Sequence, residues 1–329
     1  MKKYCLSLAS SFSGLLLFST SCLAQVQGAG SSLARELMAS WAAQFGAAAG
    51  GVSYDPAGSS AGVSRASDQT VDFGVSDVPL TAVALRQAGL KQAPLAATAV
   101  AVVVNLPELG SKPLHLNGDI LADIYQGSIT QWNHSQIAAN NPGVALPARA
   151  IVPIWRADGS GQSYVLSGYL ARSNSKWRRS INATSNLQLA AGRGVRGGQA
   201  VLEAVKATPG AVGYDSLGAA RASGLGIAQL QNAAGKYIAP TAASIAAAME
   251  RAVWQSDTNA ADLDGSAGAD TYPLTAVTYS LLAAAPKVGR KNAGPFISQA
   301  VASGDALAQK AGFNPLPAAA KNLVAAALR

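Results

Sequence analysis

Apolar and polar positions follow two different periods along this chain. Leu33, Leu37, Met38, Trp41 and Phe45 fall on one face of a 3.6-residue repeat, which predicts an amphipathic helix. Val71-Asp72-Phe73-Gly74-Val75 reads as a short strand, and Ala99 to Leu106 is a nearly unbroken, valine-rich apolar run. Such a run suits a strand covered on both faces. Ile151 to Trp155 predicts another strand, after which Tyr164, Val165, Leu166, Tyr169 and Leu170 resume helical spacing. The Ala-rich stretch Ala242 to Ala248 reads as helix rather than linker, and no internal repeat is found. Repeated alternation of strand and helix places the chain in the α/β class, with an open sheet.

The N-terminal segment stands apart. Lys2 and Lys3 precede an apolar stretch centred on Leu15 to Phe18, and Cys22-Leu23-Ala24 offers small residues for cleavage before Gln25. Residues 1–24 are therefore expected to be a secretory signal peptide. Cys22 also leaves lipid attachment open, although Ser19 stands where a lipoprotein signal usually carries leucine. Both cysteines, Cys5 and Cys22, lie in this segment, so the chain from Gln25 onward has no disulfide, cysteine nucleophile or thiolate metal site. About 305 residues remain, enough for two lobes with a large core. Apolar residues make up 49% and charged residues 13%, the balance of a packed globule. No later stretch reaches the roughly 18–20 unbroken apolar residues of a membrane span, so a soluble mature protein is expected.

The formal charge is +8, of which Lys2 and Lys3 contribute two, leaving +6 from Gln25 onward. A mild positive field suits an anionic ligand. The basic residues are scattered except for Arg172, Lys176, Arg178 and Arg179, which read as a solvated face, and no aromatic-interleaved basic stripe points to nucleic acid.

The chemistry gathers in three glycine- and serine-bearing turns: Gly28-Ala29-Gly30-Ser31-Ser32, Gly58-Ser59-Ser60-Ala61-Gly62 and Gly159-Ser160-Gly161-Gln162-Ser163. Each leads into a predicted helix, where glycine admits close backbone approach, serine can cap, and free amides attract an anion. Arg156 ends one predicted strand and can hold two oxygens of a tetrahedral oxyanion, while Asp158 can lock its orientation. Asp77 follows another strand. A carboxylate beside a bound anion makes sense only where the ligand carries a proton, as phosphate does and sulfate does not at neutral pH.

Taken together, these blocks resemble the phosphate-binding subunit of bacterial phosphate ABC transporters. The similarity rests on Gly28–Ser32, on Gly58–Val63 with Thr70–Asp77, on Arg156-Ala-Asp-Gly-Ser-Gly161 and on Pro209–Tyr214. Leu121–Trp132, Asn141-Pro142-Gly143 and Tyr272–Thr275 also match. The resemblance implies a two-lobed periplasmic-binding-protein (type II) fold with open, mostly parallel sheets and a ligand cleft at the hinge. Lobe I is expected to hold 25–93 and 274–329, and lobe II 94–273, with crossings near Pro94 and Pro273. It also implies phosphate ligands at Ser32, Leu33, Ser59, Asp77, Arg156, Ser160, Gly161 and Gln162, with Asp158 in support. Gln162 departs from the family pattern, which has threonine there.

The implied function is an exported solute-binding protein that captures inorganic phosphate and delivers it to the membrane permease subunits of an ABC transporter. A monomer without cofactor or metal is expected, periplasmic after cleavage, with lipid-anchored or secreted alternatives. A phosphate scavenger or interaction protein would keep the same fold. A phosphatase is disfavoured: His115 and His134 lack metal-ligand spacing, and Ser160 lacks the Gly-X-Ser-X-Gly elbow. Ser60 fits that elbow formally, but no clear strand is read before it.

Overall fold

The computed structural model describes residues 25–263 and 268–328. The expected signal peptide, with Cys5 and Cys22, lies outside the described residues.

Strand Val26–Gly30 opens the fold and lies between two parallel neighbours, Val52–Asp55 and Phe73–Ser76. Helices Arg35–Phe45 and Ser59–Ser67 connect them. The first helix buries Leu37, Met38 and Trp41 as its periodicity predicts, but it starts at Arg35, because Gly28-Ala29-Gly30 is strand and Ser31 to Ala34 form the turn. Strand Phe73–Ser76 begins two residues later than the sequence pattern suggests, and all four of its residues are buried.

The valine-rich run belongs to a 15-residue strand, Leu90–Val104. Its N-terminal half escapes a sequence reading because Lys91, Gln92 and Pro94 interrupt the apolar pattern. Pro94 has no N–H to give to a sheet and is tolerated at irregularities. Here it stands opposite Tyr279, where the register with strand Thr275–Ala283 shifts between Thr278 and Tyr279. Leu90 to Ala99 pairs antiparallel with that returning strand, and Val100 to Val104 pairs with Ala211–Ser216. One strand therefore serves both halves of the molecule.

Beyond it, strands Val152–Arg156, Arg193–Val195 and Ala211–Ser216 continue the sheet, with Val152–Arg156 parallel to both neighbours. Helices Gly161–Ser173 and Gly198–Ala207 make the crossovers between them. The sheet is thus parallel toward its outer strands and antiparallel around the shared strand. This is the expected two-part α/β architecture. The Ala-rich helix is Ala242–Glu250, started by a capping box between Thr241 and Ser244. Helices Gly294–Ser303, Asp305–Lys310 and Ala318–Ala327 close the chain against the first half.

Large side chains fill the core while their polar ends find partners, which removes the cost of burying them. The Trp132 indole N–H donates to Gly210 O at 2.9 Å, and the Tyr272 hydroxyl donates to Val100 O at 3.0 Å. Among the described residues no helix is long and apolar enough to cross a membrane.

Candidate functional site

Parallel strands release their carboxyl ends to one edge of a sheet, and ligands collect there. Gly30 and Ser76 end parallel strands of one half and Arg156 ends a strand of the other half that runs the opposite way, so these ends converge and the loops beyond them carry the candidate residues. Asp77 is 3% exposed and surrounded by donors: Ser31 Oγ reaches its Oδ2 at 2.5 Å, Ser59 Oγ the same oxygen at 3.3 Å, and Thr278 Oγ1 its Oδ1 at 2.8 Å. Its backbone N–H donates to Ser59 Oγ at 3.2 Å. Burial raises the Asp77 carboxyl above its ordinary value, against the pull of these hydroxyls and of Arg156.

Arg156 is 1% exposed. Its Nε and Nη2 donate to Asp158 at 2.7 and 2.5 Å, the paired geometry expected of a guanidinium and a carboxylate. Its Nη1 donates to Ser32 Oγ at 3.0 Å and to Gln162 Oε1 at 2.7 Å. Burial alone would lower the Arg156 pKa, but the bond to Asp158 reverses the sign and the net shift is upward. Burial likewise pushes Asp158 up, and Arg156 more than offsets it, leaving that carboxyl below its ordinary value. The Arg156 backbone N–H donates to the Tyr214 hydroxyl at 3.0 Å, which fixes where the side chain starts. Tyr214 is pushed up to about 12 by burial and remains a neutral phenol.

The two halves meet at glycine. A Cβ on Gly161 would lie 2.5 Å from Asp77 Cβ and Oδ2 and 2.6 Å from Ser59 Oγ. Gly58 has φ +100°, and a Cβ there would stand 2.6 Å from Gly159 O. Helix Gly161–Ser173 therefore aims its N-terminus at the Asp77 turn, and that end of a helix attracts negative charge. Two hollows are lined by residues of this region. One, of about 470 Å³, is lined by Ser32, Leu33 and Asp215; the other, of about 540 Å³, by Asp77, Thr81 and Tyr164.

Of the sequence candidates, Ser32, Arg156, Asp158 and Gln162 share one hydrogen-bond network, and Gly161 of the same helix start stands against a second set, Ser59 and Asp77. Leu33 and Ser160 face local partners: the Leu33 N–H donates to Ser31 Oγ at 3.1 Å, and Ser160 Oγ caps its helix by accepting from Ser163 N at 3.4 Å. Only the third of the three serine turns is capped by serine, since the helices at Arg35 and Ser59 have Ala34 and Gly58 as caps.

Four participants were not singled out from sequence. Ser31 holds Asp77, and Thr278 reaches it from the returning strand. Tyr214 holds the Arg156 backbone, and Asp215 accepts from Gln162 Nε2 at 2.5 Å. Ser31 lay inside a quoted motif, whereas Asp215 and Thr278 carry no local signal.

The remaining candidates are placed elsewhere. His115 stacks on Tyr237 with ring centroids 4.5 Å apart, and His134 Nδ1 accepts from Gln136 N at 3.3 Å. Among the described residues no group of three His, Cys, Asp or Glu could hold a metal ion. Strand Val52–Asp55 does precede the Ser60 elbow, contrary to the sequence reading, because Tyr54 and Asp55 extend the pairing with Val26–Gly30. Ser60 itself is exposed, with Ser185 Oγ at 3.5 Å.

Comparison with known proteins places the chain in a family. The PBP superfamily domain matches residues 19–299. The phosphate-binding protein PstS of Xylella fastidiosa (strain 9a5c) is 35% identical over 300 residues, covering 89% of this chain and 82% of that one. A high affinity periplasmic phosphate-binding protein (PfluDING) solved with phosphate at pH 8.5 superposes with a TM-score of 0.70 at 21% identity, covering 92% of this chain and 93% of that one. An ABC-type phosphate transport receptor from Vibrio cholerae superposes with a TM-score of 0.59 at 20% identity, covering 89% of this chain and all (100%) of that one. A domain match over most of the chain, together with this identity to a PstS protein, shows that the chain belongs to the PBP superfamily and, within it, to the phosphate-binding proteins of the PstS family.

Proposed function

We propose that this chain is an exported solute-binding protein that captures inorganic phosphate between its two halves and hands it to the permease of a phosphate ABC transporter. One observation carries the reading: a fully buried guanidinium, Arg156, and a ring of hydroxyls around the buried carboxylate of Asp77 lie at the N-terminus of a helix from the opposite half. Donors hold the oxyanion, and the carboxylate accepts the proton that phosphate carries and sulfate lacks. The site ligands in this reading are Ser32, Leu33, Ser59, Asp77, Arg156, Ser160, Gly161 and Gln162, with Asp158 fixing Arg156. The relatives and structural neighbours named above support the ligand and the transporter partner.

The lobes in this reading are 25–93 with 274–329, and 94–273, with strand Leu90–Val104 shared between them. Periplasmic residence follows from the leader expected at residues 1–24. Binding rather than turnover is supported by the serines: Ser160 Oγ serves its own helix and Ser60 Oγ pairs with another serine, so neither is held by a general base. Calorimetric titration with phosphate, arsenate, sulfate and molybdate tests the assignment. Tight binding of phosphate and arsenate with rejection of sulfate is expected, and equal affinity for sulfate would overturn it.

A further inference from the structure

The family threonine is replaced here by Gln162, and the structure shows what the longer side chain does. Its amide bridges two charged groups. Nε2 donates to Asp215 Oδ1 at 2.5 Å, while Oε1 accepts from Arg156 Nη1 at 2.7 Å. A primary amide has one acceptor end and one donor end. Turning it over would set oxygen against carboxylate and N–H against guanidinium, so both neighbours enforce the same orientation. Asp215 is held in turn by Ser216 N, which donates to its Oδ1 at 2.7 Å, and is 4% exposed. A Cβ on Gly198 would stand 2.5 Å from that oxygen, so the helix beginning there closes over the carboxylate.

Gln162 therefore presents an acceptor to the Arg156 edge on which an oxyanion would sit. A threonine hydroxyl can donate or accept, whereas a carbonyl oxygen can only accept. An anion oxygen brought against Oε1 is repelled unless it carries hydrogen. We propose, on the basis of the phosphate reading above, that Gln162 and Asp215 form a second proton-reading arm. The site then selects dihydrogen phosphate, with two hydroxyls, over the monohydrogen dianion. Asp77 accepts one hydroxyl proton and Gln162 Oε1 the other.

Charge points the same way. One guanidinium, Arg156, serves three carboxylates, bonding Asp158 directly, reaching Asp215 through Gln162 and acting on Asp77 through space, so a second negative charge on the ligand is disfavoured. Arg35 and Glu36 from helix Arg35–Phe45 and Glu203 and Lys206 from helix Gly198–Ala207 line the same hollow as Asp215, and Tyr214 precedes it on its strand. No histidine is among these groups. Burial raises the Asp215 carboxyl, against Ser216 N–H, Arg156 and Gln162, so its own titration must be separated from that of the ligand.

The experiment is phosphate affinity by calorimetry across about pH 5.5 to about pH 8.5, with sulfate as the control that carries no proton. Wild-type affinity for total phosphate is expected to fall toward tenfold per pH unit once the dianion predominates. Asp215→Asn keeps an acceptor for Gln162 and Ser216 but cannot titrate, and it is expected to retain the steep profile. Gln162→Thr is expected to flatten the profile and tighten binding a few-fold at the alkaline end. A flat or rising wild-type profile overturns the inference while leaving the phosphate reading intact. A slope that disappears in Asp215→Asn also overturns it, by assigning the titration to Asp215. Absence of phosphate binding at every pH overturns the phosphate reading and the inference together.

Discussion

Thr278 Oγ1 donates to Asp77 Oδ1 at 2.8 Å across 201 residues of sequence. The returning strand thus supplies one of the hydrogen bonds that make a buried carboxylate tolerable. Thr278→Val keeps the shape but withdraws the donor, leaving a buried charged acceptor short by one partner. A loss of about 1–3 kcal/mol in stability is expected, read by urea unfolding. An unchanged midpoint would show that Ser31 and Ser59 suffice alone.

Arg156 is the cation of the proposed site, and Asp158 claims two of its donors. Arg156→Ala strips both the ligand and Asp158 of their partner, at a cost of about 2–5 kcal/mol in binding. Phosphate affinity should fall at least about tenfold. Near-normal titration of the folded variant would place the anion elsewhere.

Asp77→Asn exchanges an acceptor for a group that can also donate. Sulfate, which the wild type is expected to reject, should then bind measurably, while phosphate affinity falls. Continued exclusion of sulfate by the variant would show that discrimination does not reside in Asp77.

Gly161→Ala is a more local probe. Alanine suits a helix start at least as well as glycine, but its methyl would collide with Asp77 and Ser59 at 2.5–2.6 Å. Phosphate affinity should drop by about tenfold or more with little change in Tm, since the clash arises only where the halves meet. Equal losses of stability and affinity would indicate that this contact belongs to the fold rather than to the site.

Asp215 carries a stability signature as well. Its pKa is raised by burial, so between the ordinary carboxylate value of about 3.9 and the raised one the folded state binds more protons than the unfolded chain. Stability from this group falls as pH rises through that window. Asp215→Asn removes the effect, so the stability difference, variant minus wild type, should move in favour of the variant as pH rises from the ordinary carboxylate value through the raised one. Urea unfolding at several pH values measures it, and a constant difference would contradict the raised pKa.

What could be read from residues alone depended on whether a signal was local. Asp77 and Arg156 stand just beyond or at strand ends and beside glycine turns, so their chemistry is visible in a few consecutive letters. The periodicity of Leu37, Met38 and Trp41 is equally local, and the helix followed it. Asp215 sits in Tyr-Asp-Ser-Leu with no such frame, and its meaning arises only because helix Gly161–Ser173 brings Gln162 against it. Whether the Gln162 amide bends toward the ligand or away from it is a rotamer choice that sequence leaves undetermined. Thr278 is hidden inside a buried strand whose neighbours are apolar. The first half of strand Leu90–Val104 was missed because Pro94 argues against a sheet interior unless the register shift opposite it is known.

Strand Thr275–Ala283 inserts between Phe73–Ser76 and Leu90–Val104, near the middle of the sheet. Until it arrives, both neighbours expose unpaired edges, and such edges invite wrong pairing. A chain emerging from its N-terminus can form the strands from Val152 to Ser216 early, but the part carrying Asp77 must wait for its last quarter. Contacts so distant in sequence slow folding. Because Thr278 rides on that late strand, the order of assembly makes the carboxylate cradle one of the last features to mature, and a chain cut short before Thr275 would never acquire it.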